Sequence, residues 1–249
     1  MAGPRRRAAV EIEVGLPAAV VGRPASRGEL VRSLVMKTVA RGVKCNPEKL
    51  RIARRGTARR RHGECKIQQM IGQKRLHAAR QICTEQGWLF MLDEVQTGNG
   101  RTGTYFAYQG LELTPDVVTT AKGLGNGVPI GACLARGAAA QVLGAGQHGS
   151  TFGGNPLVCA AGLAVVNTIV QENLCANATA MGQLITETLR ADSALATKIT
   201  EIRGKGLMLG IELHTDCGEL VQRGLDAGLL INVTAGNTVR LLPPLVISE

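Results

Sequence analysis

Apolar and polar positions along this chain fall into two regimes. From about residue 76 onward, apolar runs alternate with polar or glycine-rich breaks at the lengths that secondary structure uses. Residues 76–87 carry apolar side chains at helical spacing and close on Gly87, the residue type that most often follows a helix. Residues 88–92 are an unbroken apolar run, the pattern of a strand buried on both faces. Gly98, Gly100 and Gly103 mark a loop, and Pro115-Asp116 introduces a second buried strand over 117–121. Gly123, Gly125 and Gly127 make the next loop, and Pro129 leads into a third strand over 130–135. A loop of glycines and small polar residues at 144–154 precedes Asn155-Pro156, which opens a long helix over 157–173. A second helix fits 176–190. Strands follow at 199–202 and 208–213, a helix at 217–227, and strands at 229–233 and 239–242. This order predicts an α/β protein: part of a parallel-sheet large domain over 76–170, then a smaller C-terminal α+β domain over 171–249.

Residues 1–75 show no sustained period of either kind, and charge sets them apart. The 249-residue chain has 29 Lys+Arg and 19 Asp+Glu, a net of +10. Residues 1–75 hold 19 of those bases against 5 acids, a net of +14, which leaves 10 bases and 14 acids, a net of −4, for residues 76–249. The basicity therefore belongs to the first third alone. Arginine clusters at Arg5–Arg7, Arg54-Arg55 and Arg59–Arg61 could neutralise phosphates of a nucleic acid. Against that, the segment has no Phe, Tyr or Trp to stack on bases and no zinc or helix-turn-helix spacing. Three readings stay open: a wrong-frame or fused sequence of the Arg, Gly, Ala and Val kind that a GC-rich gene produces, a disordered basic tail, or a nucleic-acid site. In each, most of the segment is expected to lack a packed core.

Seven cysteines, at 45, 65, 83, 133, 159, 175 and 217, form no CxxC pair and lie partly in apolar runs, which predicts reduced thiols and a cytoplasmic location. No apolar stretch reaches the length of a membrane span, and Glu11 and Glu13 interrupt what could be read as a signal peptide. No metal-ligand spacing is present, so no metal site is expected.

Two polar residues sit where the apolar strands end. Asp93 closes the first strand and Lys122 follows the second, 29 residues later, the length of one strand–loop–helix–strand unit. Ligands of open α/β sheets bind beyond the carboxyl ends of the strands, so both side chains could reach one crevice. A carboxylate and an amine so placed suit pyridoxal 5′-phosphate (PLP), which needs an acid for its ring nitrogen and a lysine for its aldehyde. Such a lysine also moves a proton at the reacting carbon. The ordinary alternatives are a helix-capping Asp and a solvated Lys. Gln96 could donate to a ring oxygen or lie on the surface. Thr151, in Gly149-Ser-Thr-Phe-Gly-Gly-Asn155-Pro156, belongs either to a phosphate cradle ahead of a helix or to a plain loop with Asn155 as N-cap. Arg240 could hold a substrate carboxylate bidentately or face solvent.

Together these residues resemble the class III PLP-dependent aminotransferases. LFMLDEVQTGNGRTG, PDVVTTAKGLGNGVPIGA and STFGGNP match the family's signature blocks in order and spacing. RGKGLMLGIEL and INVTAGNTVRLLPPLVIS are similar to the acetylornithine and succinylornithine branch, whereas ornithine, diaminopimelate and 4-aminobutyrate enzymes share most of the other blocks. The resemblance covers residues 76–249. It implies a fold type I PLP-dependent transferase, partial here, and a homodimer with shared active sites. It also implies transfer of the side-chain amino group of N-acetylornithine to 2-oxoglutarate, in arginine biosynthesis. By the same resemblance Lys122 is the catalytic lysine, Asp93 pairs with the ring nitrogen and Gln96 lies near the ring oxygen. Thr151 reaches the cofactor phosphate across the dimer interface, and Arg240 meets the substrate carboxylate.

The departures from the family pattern carry their own expectation. A glycine-rich phosphate loop, an aromatic that stacks on the ring, a further arginine and a glutamate that switches between substrates belong ahead of the Asp93 strand, and residues 1–75 contain none of them. The chain also stops at Ser248-Glu249, where the family continues into a last helix, and Asn126 replaces a frequent glycine. The expectation is an N-terminally truncated or frameshifted fragment that cannot complete its cofactor site. Its central strands would lack partners on both sides and expose apolar edges.

Overall fold

The computed structural model describes residues 10–13, 33–37, 73–142 and 149–249. In chain order the elements are β1 (Val10–Glu13), β2 (Ser33–Lys37), α1 (Gln73–Glu85), β3 (Leu89–Asp93), β4 (Val117–Thr120), β5 (Gly131–Ala135), α2 (Pro156–Gln171), α3 (Leu174–Ala191), α4 (Ser193–Ala196), β6 (Ile199–Lys205), β7 (Met208–Leu213), α5 (Leu220–Asp226), β8 (Asn232–Thr234) and β9 (Thr238–Leu241). Two sheets result, one of five strands in the order β1-β5-β4-β3-β2 and one of four in the order β6-β7-β9-β8.

The five-stranded sheet is built around β3, whose Phe90 and Leu92 are fully buried. Helix α1 lies on it, packing Leu76, Ala79 and Cys83 against Phe90, Leu92 and Leu113. The helix ends where its sequence says it should: Gly87 takes φ +62°, and the Trp88 N–H donates to the Cys83 carbonyl at 2.7 Å. Asp116, just before β4, ties the layer together by accepting from Arg80 Nη1 at 2.5 Å and from the Phe90 N–H at 2.8 Å. Asp116→Ala leaves both donors without their acceptor and should cost about 1–3 kcal/mol, read as a lower midpoint in urea unfolding.

Two expectations fail here. The third strand was expected to continue a parallel sheet, but β5 runs antiparallel to β4, with Val117 opposite Ala135 and Thr120 opposite Ala132. The reason is length. Only residues 121–130 join β4 to β5, and a parallel crossover needs about a dozen residues or more. The link between β3 and β4 was expected to contain an α-helix. It holds only a 3-10 turn, Ala107–Leu111, because its glycines and a buried carboxylate described below wind it into a compact loop. β3 and β4 are parallel, as expected, with Asp93 opposite Thr119.

The expectation of exposed edges on both sides also fails. β2 pairs parallel with β3 over five residues, and β1 pairs antiparallel with β5 over four. Both come from the basic segment, whose remaining residues up to 72 lie outside the described residues, along with its expected disorder.

The second sheet is wholly antiparallel, and its core gathers Ile211, Cys217 and Val239. Helix α3 crosses it closely: a Cβ on Gly182 would run into the carbonyl of Gly206, which itself needs the left-handed φ of +56°. The described cysteines are all free thiols, and Cys45 and Cys65 lie outside the described residues. No single helix among the described residues is long and apolar enough to cross a membrane.

Candidate active site

Parallel pairing of β3 and β4 sends both strands out of the sheet at the same edge. Asp93 is the last residue of β3, half-buried, and its Oδ1 accepts from the Val95 N–H at 3.1 Å. Beyond β4 the chain turns at once. Ala121 is extended, Lys122 takes the left-handed φ of +51°, and a 3-10 turn runs through Lys122–Leu124. The turn is closed by Leu124 N–H donating to Ala121 and Gly125 N–H donating to Lys122, both at 3.1 Å.

A cleft of about 700 Å³ opens beside this turn. Its walls come from the loop after β3, the Lys122 turn, one face of α2 and the stretch after β9. Lys122, Gln96 and Arg240 all line it, with Asn99 and Arg101. Among the described residues the wall contains three cationic side chains and no Asp or Glu, so its field favours an anionic ligand. Gln96 and Arg240 meet across 144 residues of sequence: Arg240 Nη2 donates to Gln96 Oε1 at 2.7 Å. That bond joins the loop after β3 of the first sheet to β9 of the second.

Of the residues singled out from the sequence, the cleft thus brings Gln96, Lys122 and Arg240 together. Asp93 stands at the end of β3, outside the cleft wall. Thr151 is exposed and also outside it, in the stretch just ahead of α2. Asn155 beside it is the N-cap, accepting from the N–H groups of Leu157 and Val158 at 3.1 and 3.2 Å. Among the described residues no cluster of His, Cys, Asp and Glu could hold a metal.

Three residues of the site went unnoticed in the sequence. Glu94 is completely buried. Its carboxylate accepts from the Thr97 hydroxyl and from the N–H groups of Ala107 and Tyr108, at 3.1 and 3.0 Å. It is the post around which the 94–108 loop winds, and burial together with this carboxylate pushes the Tyr108 phenol up from its ordinary pKa. Arg101, half-buried in the cleft wall, donates to the carbonyls of Leu207 and Pro243, and burial pulls its guanidinium below the ordinary arginine value. Asn99, with 4% exposure, donates to Thr120 and Ala121. Glu94 alone had a readable signal, a hydroxyl three residues on at Thr97; Asn99 and Arg101 sit among glycines and read as plain loop.

Residues 70–249 match the class III aminotransferase family. The chain is 58% identical over 173 residues to acetylornithine aminotransferase 1 of Bordetella bronchiseptica, covering 70% of this chain and 44% of that protein. It is 52% identical over 170 residues to the acetylornithine aminotransferase of Nitrosomonas europaea, covering 68% and 43%. Among solved structures, the ornithine aminotransferase of Toxoplasma gondii aligns with a TM-score of 0.68 at 35% identity, covering 72% of this chain and 44% of that one. The acetylornithine aminotransferase of Elizabethkingia anophelis aligns with a TM-score of 0.64 at 36% identity, covering 72% and 46%. The chain thus spans less than half the length of these relatives.

Proposed function

The chain belongs to the class III aminotransferase family, and from that premise we propose that it binds PLP and serves transfer of the side-chain amino group of N-acetylornithine to 2-oxoglutarate. The observation that carries this reading is the acid-free cleft shared by Lys122, Gln96 and Arg240. The residues present fit the cofactor: the cleft supplies an amine on a tight turn and an amide for the ring oxygen, and Asp93, outside the wall at the adjoining strand end, is the acid for the ring nitrogen. Bound PLP supplies the electron sink that the reaction needs at the substrate carbon. Lys122 Nζ holds the cofactor's aldehyde end, then takes and returns the proton at the carbon bearing the amino group. Arg240 binds a substrate carboxylate through its guanidinium fork, and Gln96, bonded to Arg240 Nη2, keeps that fork turned into the cleft. Residues 76–170 supply the cofactor-facing part and residues 171–249 the substrate arginine. Thr151, exposed on this chain, serves the cofactor phosphate of a second copy in a homodimer.

The phosphate loop, stacking aromatic, further arginine and switch glutamate of the family pattern are not among the described residues. The expectation that the cofactor site stays incomplete is therefore tested directly, by measuring cofactor capture and turnover separately. The chain is incubated with PLP, reduced with borohydride and digested; the adduct is expected on Lys122, and its absence there while other lysines carry it rejects the site. Calorimetric titration of the PLP-loaded chain then compares donors. N-acetylornithine is expected to bind more tightly than ornithine, the donor suggested by the ornithine aminotransferases of similar fold, or 4-aminobutyrate; the reverse order rejects the acetylornithine branch.

A further inference from the structure

We propose that Asn99 is a positioning residue, setting the turn that presents Lys122 to the cleft. The inference rests on reading Lys122 as the cofactor-bearing amine. Asn99 lies in the loop after β3, 23 residues before Lys122, yet its amide reaches the two residues that immediately precede that lysine. Nδ2 donates at 3.0 Å to the Thr120 hydroxyl and at 3.0 Å to the Ala121 carbonyl. The Ala121 carbonyl is also the acceptor that closes the turn, from the Leu124 N–H at 3.1 Å. One oxygen thus receives the turn's own bond and the bond from Asn99. The next residue is Lys122 itself, held at φ +51°, a region a lysine occupies only when its surroundings over-determine it. Asn99 supplies that determination from a rigid place: it is 4% exposed, and Thr120, which it also holds, is equally buried.

Asparagine suits the position for two reasons. Asn99 is itself left-handed, at φ +56°, which short polar side chains tolerate. It also offers two N–H donors on one atom. The fit comes at the expense of its carbonyl, since Asn99 Oδ1 is buried with no hydrogen-bond partner among the described residues. Burial without a partner is unfavourable. The side chain keeps this arrangement because its amide end is engaged at the turn.

The test is Asn99→Gly in the full chain. Glycine accepts the left-handed backbone without penalty, so only the amide is lost. Amide hydrogen exchange at Leu124 and Gly125 is expected to speed up about tenfold or more, while α3 keeps its protection. Borohydride-trapped PLP at Lys122 is expected to accumulate about tenfold more slowly. Asn99→Asp keeps the shape but has no donor when ionised. It should match the glycine variant at pH 8 and regain slow exchange and capture at low pH, when the introduced carboxyl carries a proton to donate. Thr120→Val, which leaves the Ala121 bond in place, should change both readouts by less than about threefold. Exchange and capture within twofold of the parent in Asn99→Gly overturn the proposal. So does faster exchange with unchanged capture, since Asn99 would then be structural only. Should Asn99→Gly not fold, the pH-dependent recovery of Asn99→Asp decides. Failure of the parent chain to capture PLP at Lys122 rejects the reading of that lysine, and the exchange at Leu124 still decides whether Asn99 sets the turn.

Discussion

Lys122→Ala is expected to remove the absorption band of the PLP-loaded chain and to slow proton exchange at the amino-bearing carbon of N-acetylornithine by at least about 10²–10⁴-fold, the share that a positioned acid–base contributes. The effect is large because two roles end on one atom. Nζ anchors the cofactor and also carries the proton, and no neighbour can substitute. The other basic residues described in the cleft wall, Arg101 and Arg240, are guanidiniums, which offer N–H donors but no acceptor for a proton from carbon. Lys122→Arg separates the roles of charge and base. It keeps a cation in the cleft, so calorimetric binding of 2-oxoglutarate should persist within a few-fold while capture and proton exchange are lost. A variant with alanine at 122 that retained the band and the exchange would move the chemistry to another lysine. Spectral titration with PLP and decay of the proton signal at the side-chain carbon that bears the free amino group (Cδ), followed in deuterated buffer, provide the two measurements.

How much of this could be read from the chain alone follows from what each feature depends on. β3 was legible because five apolar residues bounded by a charge have few other solutions. The N-terminus of α2 was legible because Asn155-Pro156 acts locally, through its own cap and a fixed φ. The direction of β5 was misread because side-chain period is the same in parallel and antiparallel strands; the ten-residue connection at 121–130 held the answer. β1 and β2 were missed because their short apolar stretches lie in a segment whose charge dominates any window average. Lys122, Gln96 and Arg240 were identified one by one. Their meeting was not, because the bond between Gln96 and Arg240 spans 144 residues and depends on how the two sheets sit together. Glu94 shows the same limit from the other side. Next to Asp93 it reads as one more loop charge, and only the fold reveals that the chain buries it completely.

That burial makes Glu94→Ala the substitution expected to cost the most stability, about 3–5 kcal/mol, because each donor left without its acceptor costs about 1–3 kcal/mol. Three donors lose their acceptor at once: the Thr97 hydroxyl and the N–H groups of Ala107 and Tyr108. The Thr97 hydroxyl cannot turn to water while the loop stays folded, because Thr97 is 1% exposed, and the N–H groups of Ala107 and Tyr108 sit on half-buried residues. In a chain of this size the loss corresponds to a fall in melting temperature of about 2–4 °C per kcal/mol. Glu94→Gln keeps one acceptor oxygen but turns an NH2 toward donors, so its loss should be roughly half that of alanine. The damage should also reach the cleft. Gln96, Asn99 and Arg101 all hang on the loop that Glu94 winds, so the glutamine variant, still folded, should capture PLP at Lys122 more slowly than the parent chain. Urea unfolding of both variants measures the first expectation, and trapping at Lys122 below the unfolding transition measures the second. An alanine variant as stable as the parent would mean that the loop closes without this carboxylate.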